Sequence, residues 1–352
     1  MTAIIAILAF GLLVFIHELG HFIFAKLFGV YVEKFSIGFG PKLFGKKIGD
    51  TEYLICAIPL GGYVKMYGEH SDESVDEALR DRAFNNKKLY QKSLIVFAGP
   101  LFNYMLAVFL FWIVFLKGVP SLKPVIGELT ENMPAKVAGL QAGDEIVSIN
   151  GFAIKSWDDM ADLIKKSPGK PIDIVYKRGD QTVNIQITPQ RSQSKNIFGE
   201  NVEVGLLGIK PSGEQIHISY GFFEALWKGF LKCYDIVELT ILGIVKMFQK
   251  IIPADNIGGP IMIFQMTKDA ASFGFVPLIT FIALISINLA ILNLLPVPVL
   301  DGGHLLIYFI EAIIGRPLSE KAKTFAMKVG MSLLLLLMVF AFYNDIMRMF
   351  KG

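Results

Sequence analysis

The sequence predicts a membrane α-helical bundle with four transmembrane helices, a membrane-associated β-hairpin or sheet after the first helix, and one inserted extracytoplasmic α+β domain. Three observations carry this expectation. Of 352 residues, 53% are apolar and only 18% are charged, the balance of an integral membrane protein with a soluble portion. Four apolar stretches reach the roughly 20 helical residues that a hydrocarbon core of ~30 Å requires. Between the second and third lies a long polar segment patterned as strands, turns and a helix. A net charge of +3 without a basic stripe argues against nucleic acid as a partner. Cys56 and Cys233, far apart, form neither a disulfide framework nor a CxxC metal site.

The first span is read as Thr2–Leu27. Met1 to Ile16 holds no ionisable side chain, and the apolar run resumes at Phe22-Ile23-Phe24-Ala25. It has no basic leading region and no small-x-small cleavage site, so it is expected to be retained rather than removed as a signal peptide. Inside it stands His17-Glu18-Leu19-Gly20-His21. On a helix, positions i and i+4 share a face, so both imidazoles can aim at one metal, with Glu18 in reach of water there. Insertion scales charge about 2.5–3.5 kcal/mol for a central Lys, Arg or Asp, so ionisable groups at this depth mark a working site. A metal would compensate all three.

Residues 31–67 read as strands. Phe35-Ser36-Ile37-Gly38-Phe39 alternates with period two, Gly40-Pro41 breaks it, and Glu52–Ile58 is a second run of β formers. Pro59 and Gly61-Gly62 interrupt before Tyr63-Val64-Lys65-Met66. So apolar a loop suggests a hairpin dipping into the membrane, where backbone is tolerated if protein or water satisfies it. Glu69–Asp81 is an acidic linker, and Leu94–Leu116 is a second span without a charge. The segment 219–250 places Lys228, Lys232, Asp235 and Lys246 near one helical face, the pattern of an amphipathic helix lying on the membrane surface. The third span falls within 270–300, which has no ionisable residue, and the fourth covers roughly Phe325–Tyr343. The expected domains are therefore 1–116, 117–211, 212–269 and 270–352.

Charge orients these spans. Residues 25–93 hold eleven Lys or Arg, and the loop before the fourth span adds Arg316, Lys321, Lys323 and Lys328. Both basic loops are expected on the cytoplasmic side, leaving the two termini and 117–269 outside.

A catalytic zinc usually has three protein ligands and an open position. His70 and His217 sit in polar, non-spanning segments and are poor candidates for the third. Asp301 ends the third apolar stretch, in Asn293-Leu294-Leu295-Pro296-Val297-Pro298-Val299-Leu300-Asp301-Gly302-Gly303-His304. His17 lies ~24 Å along the first helix at 1.5 Å per residue, and Asp301 falls at a similar depth if the third helix runs the same way. The two prolines remove backbone donors, as expected where a helix unwinds to line a cavity. Asp301 is the expected carboxylate ligand, with His304 as its rival.

Two resemblances add to this reading. Gly139-Leu140-Gln141-Ala142-Gly143-Asp144-Glu145-Ile146-Val147-Ser148-Ile149-Asn150-Gly151 resembles the most recognisable stretch of PDZ domains, within an outer domain of roughly Pro124–Pro211. A helix at Trp157–Lys166 and strands at Asp173–Lys177 and Thr182–Thr188 follow in PDZ order, and one copy is present. Over essentially its whole length the chain resembles the site-2 protease family of intramembrane zinc metalloproteases, in its bacterial RseP-like branch. The likeness rests on His17–His21, Gly99-Pro100-Leu101-Phe102-Asn103, the PDZ domain, Gly258-Gly259-Pro260-Ile261, and Asn293 to Gly302.

That resemblance implies one Zn2+ on His17, His21 and Asp301, with Glu18 as catalytic base. It implies that Asn293, Pro296 and Pro298 contact an unwound substrate, and that the β element, including Gly61, Gly62 and Tyr63, pairs with it. The substrates implied are single-pass transmembrane proteins of the bacterial inner membrane, such as trimmed anti-sigma factors or remnant signal peptides, filtered by the PDZ domain. Some relatives carry two PDZ domains, so a double filter does not carry over. For Asn103, packing between helices is expected ahead of a contact with the oxyanion. Oligomeric state is not legible.

Overall fold

The computed structural model describes residues 2–69 and 76–351; His70 lies outside them. In chain order come α1 (Thr2–Leu27), β1 (Val32–Ile48), β2 (Thr51–Met66), α2 (Leu89–Lys117), β3 (Val119–Leu122) and β4 (Ile126–Leu129). Then follow α3 (Pro134–Val137), β5 (Glu145–Ile149), β6 (Phe152–Ala153), α4 (Trp157–Lys165), β7 (Ile172–Arg178) and β8 (Gln181–Ile187). Next are β9 (Gln190–Lys195), β10 (Asn201–Leu206), β11 (Ile209–Pro211), β12 (Gln215–Ile218) and α5 (Phe222–Phe248). The chain closes with α6 (Pro260–Ser272), α7 (Phe275–Asn293), α8 (Asp301–Ile314) and α9 (Glu320–Lys351). The chain divides into two compact units, one of residues up to 113, 226–241 and from 254 on, the other of 114–225 and 242–253.

Among the described residues, four helices are long and apolar enough to cross a membrane: Ile5–Leu27, Leu89–Lys117, Phe275–Asn293 and Glu320–Phe350. They fall on the four expected stretches. The third ends earlier than its apolar composition suggests, because the prolines at 296 and 298 cannot continue a helix. A separate helix, α8, then begins at Asp301 where a loop was expected.

The β element is folded back on itself. Residues 34–37 lie between 62–65 on one side and 52–55 on the other, while 44–48 pair with 51–55. Among the described residues, no named strand pairs with the outer side of 62–66. Val32 and Met66 pack with Ala25, Ile95, Val96 and Tyr308 in one buried cluster, fixing the sheet to the end of α1. On α9, the buried Asp345 accepts the backbone N–H groups of Gly259 (2.8 Å), Ile261 (3.0 Å) and Met262 (3.2 Å). This caps the first turn of α6, whose free donors attract a carboxylate.

The second unit is built on a four-stranded sheet in the order β6-β5-β7-β8. Ile146, Ile149, Ile172, Ile174, Met160 and Leu207 fill its core with α4 packed over them. Each such side chain contributes about 1.5–3 kcal/mol by leaving water. Ser156 and Asp159 cap α4 reciprocally, the arrangement that satisfies two orphan N–H groups at a helix start. Arg178 grips the buried Asp144 through Nε and Nη2, both at 2.7 Å, and so closes the turn at 139–144.

Candidate metal centre

The site is assembled from α1, α2, the start of α8 and the edge of β2. Spacing of four on α1 puts His17 and His21 on one face, and their Nε2 atoms stand 3.2 Å apart. Asp301 joins them, with Oδ2 3.1 Å from His17 Nε2 and Oδ1 3.6 Å from His21 Nε2. One ligand atom from each of the three residues lies within 4.8 Å of the others. Although Oδ2 of Asp301 is buried beside His17, it accepts no well-directed hydrogen bond.

Two close approaches make this convergence possible. A Cβ at Gly99 of α2 would stand 2.5 Å from His21 Cε1 and 2.8 Å from His17 Cε1, so only glycine lets both rings lie against that helix. At the start of α8, a Cβ on Gly303 would meet Pro298 Cα and Val297 C at 2.6 Å, and one on Gly302 would collide with the Leu294 and Leu295 backbone. The glycines after Asp301 therefore let the first turn of α8 nest into the 294–298 segment. Val299 holds φ of 108°, costly for a β-branched residue and characteristic of backbone held under constraint at a site.

A second layer orients the rings. His21 Nδ1 lies 2.9 Å from the carbonyl of Ile95, which fixes the proton on Nδ1 and leaves Nε2 as a lone pair aimed at the cluster. The Glu18 carboxylate faces the backbone N–H of Val64, and the Cβ position of Gly62 is 3.4 Å from Glu18 Cγ. The edge of β2 thus runs past the Glu18 carboxylate. A cavity of about 900 Å³ joins His17, Glu18, His21, Gly61, Gly62, Asn293 and Asp301.

The remaining candidates are placed as follows. His304 lines the same cavity one turn beyond Asp301 but lies outside the three-residue cluster, its ring 6.5 Å from that of Tyr308. Asn293 Nδ2 sits 3.4 Å from His17 Nε2. Tyr63 stacks on Phe39 and does not line the cavity; Pro296 and Pro298 shape the wall segment whose Val299 and Leu300 do. His217 belongs to β12, in the other unit. Asn103, expected to pack between helices, is fully buried and has its carboxamide 3.3 Å from His17 Nδ1. A glycine and an asparagine four residues apart in an otherwise apolar span were the available signal for this face of α2.

Two imidazole nitrogens and a carboxylate oxygen within 4.8 Å of one another match the three-ligand set of a catalytic zinc. The family model for peptidase family M50 matches residues 5–337. This chain belongs to peptidase family M50. It is 32% identical to the regulator of sigma-W protease RasP of Bacillus subtilis, covering 99% of each chain. It is 33% identical to the regulator of sigma-E protease RseP of Salmonella typhimurium, over 97% of this chain and 98% of the relative. A Campylobacter jejuni protein named as a zinc metalloprotease is 39% identical over 97% of this chain and 92% of its own length. Among solved structures, the PDZ domain of an SdrC-like protein of Listeria monocytogenes is matched over 25% of this chain and 84% of its own, at 27% identity and a TM-score of 0.20. The M50 member described here is a zinc metalloprotease of site-2 protease type, with zinc as its cofactor.

Proposed function

We propose that this M50 protease hydrolyses peptide bonds within the transmembrane segments of single-pass membrane proteins, using His17, His21 and Asp301 as zinc ligands and Glu18 as general base. One observation carries the reading: three ligand atoms and an adjoining carboxylate converge beside a cavity, and His17, Glu18 and His21 stand on a helix apolar enough to span a bilayer. Zinc supplies Lewis acidity there, polarising a peptide carbonyl and acidifying water. Glu18 takes the proton of the attacking water and returns it to the leaving amine. Asn293, with its amide nitrogen at the cluster, donates to the oxyanion and holds the unwound strand.

A transmembrane helix hides its carbonyls in hydrogen bonds and must unwind before cleavage. The outer side of 62–66, passing Glu18 at Gly62, offers the replacement: an extended peptide adds to an open sheet edge through main-chain bonds. Gly61, Gly62 and Tyr63 belong to that edge, and Pro296 and Pro298 shape the facing wall. The membrane bundle, the hairpin dipping into it and the cytoplasmic side for the basic loops follow from charge and hydropathy. The segment 117–211 would then lie outside as a PDZ filter that excludes untrimmed proteins, followed by an interfacial segment at 212–269. Anti-sigma factors and remnant signal peptides, in a bacterial inner membrane, are the substrate classes this arrangement suits.

The test uses detergent-purified protein and a single-pass helical substrate, with and without a zinc chelator. Cleavage should stop on chelation and return with zinc. Glu18→Gln should retain the metal and lose at least ~10²-fold in rate, the scale of general acid–base catalysis. Full activity in that variant would refute Glu18 as the base, and cleavage only outside the apolar segment would refute the substrate class.

A further inference from the structure

We propose that Asn103 is a positioning residue for the metal centre: its carboxamide oxygen holds the proton of His17 Nδ1 and so aims the Nε2 lone pair at the ion. The inference rests on the reading of His17 as a ligand. Nε2 is the nitrogen that faces His21 Nε2 at 3.2 Å and Asp301 Oδ2 at 3.1 Å, so Nε2 is the ligating atom. A neutral imidazole carries one proton, and with Nε2 as a lone pair that proton sits on Nδ1. A buried N–H needs an acceptor.

The group at Nδ1 is the Asn103 carboxamide, 3.3 Å away on a fully buried side chain. With the amide nitrogen turned to the ring, Oδ1 of Asn103 remains buried with no partner. Oxygen and nitrogen of a carboxamide exchange places by a half-turn about the last side-chain bond, at no cost in shape. The half-turn gives the orphaned oxygen a donor and the Nδ1 proton its acceptor. In the opposite orientation Nδ1 becomes the acceptor, the proton moves to Nε2, and the ring can no longer ligate. Asn293 does not substitute: its Nδ2 is 3.5 Å from Nδ1 and 3.4 Å from Nε2, and a point so nearly equidistant from both ring nitrogens lies off the axis of either lone pair.

The same helix solves the same problem twice, since the Ile95 carbonyl of α2 holds Nδ1 of His21. Asn103 is itself pinned from α7, where the buried Ser286 hydroxyl donates to the Asn103 carbonyl at 2.7 Å. Partners of this kind typically change metal affinity 10–100-fold when removed.

The experiment measures zinc affinity of the full-length protein in detergent by competition with a chromophoric chelator. Asn103→Leu, which keeps the branched shape but offers no acceptor, should weaken binding ~10–100-fold, while Asn103→Asp, an acceptor without a donor, should stay within about threefold of the parent. Asn103→Ala repeats the loss without added bulk, should the leucine variant fail to fold. Cobalt-loaded protein should show a shifted ligand-field spectrum for the leucine and alanine variants and the parent spectrum for the aspartate. Parent-like zinc affinity in Asn103→Leu or Asn103→Ala overturns the proposal, as does an aspartate variant as weak as the leucine one. His17→Ala separates the two levels: loss of zinc there leaves the ligand reading intact whichever way Asn103 falls, and retention of zinc overturns both.

Discussion

Gly99→Ala tests how tightly the proposed metal ligands are held, because it adds a single methyl on the α2 face that both imidazoles touch. The added Cβ would stand 2.5 Å from His21 Cε1 and 2.8 Å from His17 Cε1, more than 0.5 Å inside the ~3.5 Å separation at which carbon atoms attract. Neither ring can retreat freely. His21 is held by the Ile95 carbonyl and His17 touches Asn103, and both are buried. Overpacking of this kind costs about 1–3 kcal/mol. If the strain is relieved by moving the rings, the same energy is taken from zinc binding, and at 1.4 kcal/mol per decade it amounts to a ~5–150-fold loss of affinity. Chelator competition on the purified variant measures this, with unfolding of the metal-free protein followed in parallel. Gly243→Ala is the control: its Cβ meets nothing closer than 3.9 Å, and a mid-helix glycine replaced by alanine gains ~1 kcal/mol of helix propensity. Zinc affinity for Gly99→Ala within twofold of the parent, with unchanged stability, would refute the close-packing argument.

Three further outcomes follow from the geometry. Asp301→Ala should lose zinc and His304→Ala should keep it, by metal analysis after gel filtration; the reverse would move the third-ligand role to His304. Asp345→Ala removes the shared acceptor of three backbone N–H groups; at ~1 kcal/mol net per hydrogen bond, a loss of about 3 kcal/mol is expected in thermal unfolding. Arg82 bonds to Asp50 at the turn of the β element and holds its carboxyl below the usual range. That link is complete above the ordinary aspartate value of ~4 and is lost as pH falls through the lower folded value. Limited proteolysis at residues 48–51 should therefore accelerate only on acidification, and Asp50→Asn should show the acid behaviour at neutral pH.

Much of the site was legible because burial in an apolar run makes polar residues conspicuous. His17, Glu18 and His21 stood out by helical spacing, and Asp301 by ending a stretch with no other charge; the structure brings the two histidines and Asp301 within 4.8 Å. Gly99 and Asn103 were harder to read, since a glycine in a helix has many uses and an asparagine's partner belongs to another element. Helix α8 was missed because its apolar run from Leu305 looks like the tail of the third span, and nothing local shows that the chain turns at 294–300 before resuming. The β element was recognised by its period of two, but alternation names no pairing partner, so the fold-back that sets 34–37 between two other runs could not be deduced. α6 was not anticipated: its cap comes from Asp345, more than eighty residues away in sequence.

The attachment of His21 to Ile95 and the seating of both rings on Gly99 have a mechanical corollary. One helix, α2, acts as the template against which the proposed ligand nitrogens are aligned. Sliding that helix by even a fraction of a turn would misalign both donors together. Anything that changes the tilt of α2, including a thicker or thinner bilayer, would therefore register as altered ion retention before the chain unfolds.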